Sequence, residues 1–397
     1  MDEKIAFRDP KGLESISELC YNSIHYYPHQ QNNIKRKKAL IMKYEFPTIG
    51  QAKKIVLPED KKLGFGKIMA PWMSVATYTE GQGWHDLAVV PYGPFMIEPA
   101  ASVLHYGQEM FEGLKAFRRP DGSIWTFRPD MNWKRIINTN RRLVMPEIPE
   151  EMFYESVRAG VLANEEYVPK SEGTSLYVRP FMIATEPFLG VHVSKEYKYF
   201  VIFSPVASYY AAGTKPVDLY VETVYSRAAD GGTGFAKTSG NYAASLLSQV
   251  LAEQRGYAQV LWTDSATHTY AEEIGTSNAF FIIDGTVITA PLNGTILPGI
   301  TRDSVLTILR DWGIPVEERP IKIDEIFEAS KAGKLDEMFA TGTAAVVSPV
   351  GHLDRDGEII TIANNEIGPV AAKLYDAINA IRVGTAPDTH NWMVRLK

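Results

Sequence analysis

Two α/β-type domains behind a weakly structured amino-terminal stretch are what this sequence predicts, on three observations. Short apolar runs of strand length alternate with longer amphipathic segments over most of the chain. A run of small residues with Gly213 and Pro216 interrupts that alternation near its middle. Residues 1–64 show no such periodicity. With 397 residues, 45% of them hydrophobic and 22% charged, the composition is that of an ordinary globular protein with room for two or three domains.

Taken in order, residues 1–64 are polar, with the stretch His25-Tyr-Tyr-Pro-His29 and the basic run Lys35-Arg-Lys-Lys38. They read as an extension, within which Met42 is a candidate natural start. Residues 65–206 form the first, smaller domain. Segments 87–90, 123–127 and 198–203 have strand character, whereas 132–143 and 152–163 repeat at helical spacing with Trp133, Ile136, Ile137 and Leu143 on one side. Residues 207–216 read as the connection, and 217–397 as a larger second domain. There 260–262 and 279–283 read as strands, 243–254 and 302–312 as helices, and Gly313-Ile-Pro315 as a helix stop.

A net charge of −6 and a pI near 5.8 give no reason to expect nucleic acid or an anionic membrane as partner. The lone Cys20 excludes an intrachain disulfide and a cysteine metal cluster. No apolar run approaches the ~18 residues of a spanning helix. Asp2, Glu3 and Asp9 do not suit a signal peptide, so a cytoplasmic enzyme or binding protein is expected, with no metal.

The stretch with most chemical content is Gly231-Gly-Thr-Gly-Phe-Ala-Lys-Thr-Ser-Gly-Asn-Tyr242, in which glycines crowd one lysine ahead of a helix. Such a loop can press against a bulky ligand and present Lys237 as a nucleophile; a surface lysine in a turn is the bland alternative. Gly231–Thr238 also approaches a P-loop, with Ala236 where the second glycine belongs. The run 289–301 leads into a helix whose amino terminus suits phosphate, and 341–345 adds a small-residue turn. Glu272 and Glu273 precede a glycine turn, where a carboxylate can meet a protonated ring nitrogen or simply face solvent.

In this order, the motifs Phe111-Glu-Gly-Leu-Lys-Ala, Tyr177-Val-Arg-Pro180, Lys237-Thr-Ser-Gly-Asn-Tyr242, Glu273-Ile-Gly-Thr and Leu297-Pro-Gly-Ile-Thr301 closely resemble those of the branched-chain amino-acid aminotransferases of pyridoxal-phosphate fold type IV. Ser239 stands where that family usually has glycine. The resemblance spans residues 65 to about 382. It implies a two-domain fold, a smaller α+β domain and a larger α/β barrel-like one, with pyridoxal phosphate at their interface. It implies that Lys237 carries the cofactor and acts as catalytic base, that Tyr242 meets its phenolic oxygen, and that Glu273 rather than Glu272 meets its ring nitrogen. Arg135, Ile300, Thr301 and Thr343 are the implied phosphate contacts.

For substrate, the resemblance implies Phe65, Tyr177, Arg179, Tyr209 and Ala344, with Tyr106 reaching into a partner subunit of at least a homodimer. The implied reaction is reversible transamination of L-leucine, L-isoleucine and L-valine with 2-oxoglutarate. D-amino-acid aminotransferase and aminodeoxychorismate lyase share the fold, but the Tyr177-Val-Arg-Pro and Phe111-Glu-Gly-Leu-Lys-Ala stretches favour the branched-chain family. A P-loop nucleotide-binding protein is the expectation from another class.

Overall fold

The computed structural model describes residues 44–207, 215–344 and 346–397. Tyr209, most of the expected connection, Cys20 and Met42 lie outside the described residues.

The first domain is built on an eight-stranded antiparallel sheet. Its strands are β1 (Trp72–Thr79), β2 (Gly83–Pro91), β3 (Glu109–Phe111), β4 (Leu114–Arg118), β5 (Ile124–Phe127), β6 (Ser175–Ala184) and β7 (Glu196–Val206), joined by a strand from the chain's end. Ahead of β3 comes the short helix α1 (Ser102–Tyr106). Helices α2 (Pro129–Leu143) and α3 (Glu150–Ala163) follow β5. Proline opens α2, where its missing N–H costs nothing, and Ile136 and Ile137 are buried as the helical spacing requires. Gly160 of α3 abuts the Phe203 ring and the Ser74 hydroxyl, an approach that only a residue without Cβ permits.

The second sheet has nine strands: β8 (Val217–Val221), β9 (Gln259–Thr263), β10 (Ala271–Ile274), β11 (Ser277–Ile283), β12 (Thr286–Thr289), β13 (Val316–Glu318), β14 (Leu335–Gly342), β15 (Val346–Arg355) and β16 (Glu358–Thr361). Pairing of β10 with β11 closes β8, β9, β10, β11, β14 and β15 into a six-stranded barrel. Around it lie α4 (Ser239–Gln254), α5 (Ile300–Asp311), α6 (Ile323–Lys331) and α7 (Pro369–Val383). Alternation along β11 sends Phe281 into one core with Ile326 and Phe327 of α6. It sends Phe280 into another, where it stacks on Phe339 at 5.2 Å beside α5 and α7.

That second core continues into Phe117 and Phe127 of the small domain, so the two domains share apolar surface. At ~1.5–3 kcal/mol per buried large side chain, this shared core holds the two domains together. The expected domain limits shift at both ends. Residues 44–64, expected to be loosely attached, sit on the small domain, with Phe46 and Leu63 buried and Ile49 N–H donating to Val89. The last strand, β17 (Met393–Arg395), leaves the large domain and pairs with β5, because Trp392, Met393 and Leu396 find apolar cover there.

Candidate active site

Lys237 lies at the amino end of α4, which begins at Ser239, earlier than the expected 243. Its loop is stapled to the small domain. Phe111 N–H donates to the Lys237 carbonyl at 3.1 Å, and Thr139 Oγ1 accepts from Lys237 N–H at 3.0 Å. Thr238 Oγ1 donates to the Glu109 carbonyl at 2.8 Å. Asn241 shapes the same loop, donating to the carbonyls of Thr233 at 2.7 Å and Ala236 at 2.8 Å. The lysine side chain thereby points into the interdomain cleft, with Nζ 2.8 Å from Tyr242 Oη and over the Phe111 ring at 4.8 Å.

This geometry does not suit a phosphate loop. The N–H groups of Gly232, Phe235, Ala236 and Lys237 are donated within the protein, to Ala229, Gly294, Thr233 and Thr139 respectively, so half of the eight in Gly231–Thr238 are turned away from any phosphate. Gly234 packs against the Thr295 backbone instead.

Lys237 and Tyr242 line a cavity of about 310 Å³ together with Phe65, Tyr177, Arg179, Thr343 and Ala344. Strand β6, with Phe111 of β3 and Gly113 just after it, sets one wall. Gly113 lets the Tyr177 hydroxyl close in, since a Cβ there would collide with it. Tyr177 Oη accepts from Arg179 Nη2 at 2.9 Å, and its ring meets Phe65 edge-on at 5.0 Å. Arg179 lies 4.9 Å over the Phe111 ring, and its Nε is buried without a hydrogen-bond partner. The β14–β15 turn carrying Thr343 and Ala344 forms another wall.

Glu273 stands beside this cavity on β10, lining a small adjoining space with Tyr242, Arg227 and Leu297. It is buried, pairs with Arg227 Nε at 2.5 Å and accepts from Asn278 Nδ2 at 2.7 Å. Burial pushes its carboxyl up to about 7 against the pull of Arg227, and Glu272 pushes the same way. Glu272 takes a different role, accepting from Thr295 Oγ1 at 2.6 Å. Asn278 also donates to the Leu297 carbonyl at 2.9 Å, which ties the Glu273 strand to the turn entering α5. Gly299 in that turn faces Asn278 Oδ1 so closely that any Cβ would displace it.

Ile300 and Thr301 open α5 and are buried. Arg135 reaches the same turn, donating from Nη1 to the Pro298 carbonyl at 3.1 Å. Its other nitrogens grip Glu112 in a fork, Nε to Oε1 at 2.6 Å and Nη2 to Oε2 at 2.9 Å, in a pair that is almost fully buried. Burial pushes Glu112 upward, but Arg135 outweighs it and holds the carboxyl below its usual range. Thus Lys237, Tyr242, Phe65, Tyr177, Arg179, Thr343 and Ala344 share one cavity, Glu273 lines the small space beside it, and Arg135, Ile300 and Thr301 meet at the turn entering α5. Tyr106 is elsewhere, 43% exposed on the surface, its hydroxyl donating to the Leu189 carbonyl.

Reading the sequence missed Glu112, Arg227, Asn278 and Asn241. Glu112 carried a signal, a carboxylate set among apolar residues of strand-like text; the pairing of Arg227 with Glu273 had none.

Residues 109–353, more than half of the chain, match the family model for class IV amino-transferases. A Bacillus subtilis (strain 168) protein named branched-chain-amino-acid aminotransferase 2 is 49% identical over 335 residues, 84% of this chain and 92% of that protein. The Mycolicibacterium smegmatis branched-chain-amino-acid aminotransferase is 49% identical over 339 residues, again 84% and 92%. Among solved structures, the T.th. branched-chain amino acid aminotransferase with pyridoxamine 5'-phosphate superimposes with a TM-score of 0.68 at 27% identity, over 83% of this chain and 100% of that one. The chain therefore belongs to the class IV amino-transferases and, within them, to the branched-chain-amino-acid aminotransferase family.

Proposed function

We propose that this protein transfers the amino group of L-leucine, L-isoleucine or L-valine reversibly to 2-oxoglutarate, by a ping-pong reaction on pyridoxal phosphate. The observation that carries the reading is the Lys237 amine, 2.8 Å from the Tyr242 hydroxyl inside a cavity that also presents Arg179. The residues suit the cofactor. Glu273 is a buried carboxyl beside the cleft whose ionised form burial disfavours, and a protonated ring nitrogen there would supply the cation that stabilises its carboxylate. The amino end of α5, with Ile300, Thr301 and nearby Arg135, offers N–H groups and positive charge to a phosphate, and Thr343 supplies a hydroxyl. When bound, pyridoxal phosphate supplies a ring into which negative charge at the substrate's α-carbon can spread.

The chain's own residues do the rest. The Lys237 amine takes the proton from the α-carbon and returns it one position away, as a general base held in reach by Tyr242 Oη. Arg227 and Asn278 keep Glu273 in place throughout. Phe65 and Tyr177 give the aliphatic side chain an apolar wall, and Arg179 receives the second carboxylate of glutamate. Because one methylene is worth only ~1–3 kcal/mol in such a pocket, activity on the three branched-chain substrates should overlap. We also propose at least a homodimer in which Tyr106 completes the partner's pocket. Its support is the apolar surface around that tyrosine, where Leu189 and Val191 are exposed.

The test is spectroscopic. Protein purified with pyridoxal phosphate should show a visible band that L-leucine bleaches and 2-oxoglutarate restores, and Lys237→Ala should lose that cycle. A band that ignores L-leucine but responds to D-alanine moves the substrate to D-amino acids. No bound chromophore overturns the reading.

A further inference from the structure

We propose that Lys115 is a positioning residue that holds the Thr343–Ala344 turn in place against the substrate cavity. The proposal rests on the aminotransferase reading, in which Ala344 is a substrate contact. Lys115 belongs to β4 of the small domain and is the cross-strand neighbour of Tyr177. Its Nζ crosses the domain boundary and donates to the Ala344 carbonyl at 2.9 Å. Ala344 lines the cavity; Lys115 stands behind it and acts through it.

Stability alone does not explain a lysine here. Among the described residues no carboxylate lies within ion-pair distance of it, and the charge that bears on its amine is another cation, the buried Arg382 of α7. Arg382 is itself without a carboxylate partner among the described residues and lies over the Phe127 ring at 4.7 Å. The Lys115 side chain is only partly covered, yet it lies deep between the domains. Burial, and after it Arg382, push its amine down to about 7. An apolar side chain of the same length would fill that space at lower cost. What it could not do is pin the Ala344 carbonyl and so fix how the turn faces the cavity.

The test uses holoenzyme with Lys115→Met and Lys115→Arg, and the probe 4-methylpentanoate, which has leucine's carbon branch and carboxylate without its amine. In Lys115→Met the dissociation constant of the probe by calorimetry, and KM for L-leucine, should each rise about tenfold, as befits a turn carbonyl left without its donor. Its kcat should stay within about threefold and its melting temperature should not fall; Lys115→Arg should restore probe binding. Unchanged probe binding in Lys115→Met, with the wild type binding normally, overturns the proposal and leaves the aminotransferase reading intact. A lower melting temperature with kcat and KM impaired alike overturns it in favour of a structural role. Should methionine prevent folding, Lys115→Gln carries the same comparison. A wild type that cycles with L-leucine yet does not bind the probe also overturns it.

Discussion

The two ends of the cleft hold their positive charges in opposite ways. At the inner end Arg135 and Arg227 are buried and each is gripped by a buried carboxylate, Glu112 and Glu273. At the outer end Arg179 and Lys115 are partly buried, and among the described residues neither has a carboxylate within 4.0 Å. A buried pair that lacks one member leaves a charge the protein cannot solvate. A cation left unpaired beside a cavity instead keeps its strongest interaction for an incoming anion. The inner pairs are therefore framework, whereas Arg179 is held in reserve for a ligand carboxylate and Lys115 holds the turn behind it.

The largest effect should come from breaking an inner pair. Glu112→Gln removes the charge that neutralises Arg135 and turns an amide donor toward its guanidinium. Unfolding in denaturant should show a loss of about 3–5 kcal/mol. Adding Arg135→Met to that variant should recover much of the loss while still weakening cofactor retention. Acid should reveal the same pair. With Glu112 held below its usual range by Arg135, its contribution to stability is present above pH ~4.5 and disappears as pH falls through the depressed value. A Glu112→Gln protein as stable as the wild type would remove the distinction between framework and reserve.

The outer end should respond in binding. Arg179→Met strips a cation that no carboxylate among the described residues neutralises, so its stability should change by less than about 1 kcal/mol. KM for 2-oxoglutarate should rise by roughly 10–100-fold, the worth of a charged hydrogen bond or two. KM for L-leucine should rise less, because its side chain carries no carboxylate. Equal losses for both substrates would show that Arg179 shapes the pocket rather than reading the second carboxylate.

This division explains which parts of the site were legible in the sequence. Lys237 was visible because its neighbours announce it: glycines on both sides and a helix directly after. The α2 stripe and the β11 run were visible because periodicity is local. Glu273 could be separated from Glu272 only through the motif around it, since both are buried in the structure. Arg227 leaves no local trace, because its partner is brought to it by barrel closure through β9 and β10. Lys115 reads as one more charge in a strand until β4 is set against the β14–β15 turn. The seating of residues 44–64 and the return of β17 were illegible for the same reason, as each depends on an apolar surface that exists only once the small domain has folded.

The smallest effect tests the electrostatic side of the contrast. Because burial and Arg382 depress the Lys115 amine to about 7, folded protein binds fewer protons than unfolded chain between that value and the usual 10.5. Wild-type stability therefore gains from this residue as pH rises through that window, and the charged form is most unfavourable below it. Lys115→Met has no such dependence. Its melting temperature relative to wild type should be highest near pH 6, by on the order of 2 °C, and the advantage should shrink steadily to about pH 9. Beyond that pH Arg382, which burial brings down to about 10, begins to contribute a slope of its own. A difference that stays flat across the same range would mean that the lysine keeps its proton throughout. Lys115 would then be a cation across the whole range, held without a carboxylate as Arg179 is, and the contrast with the inner pairs would extend to both residues in full.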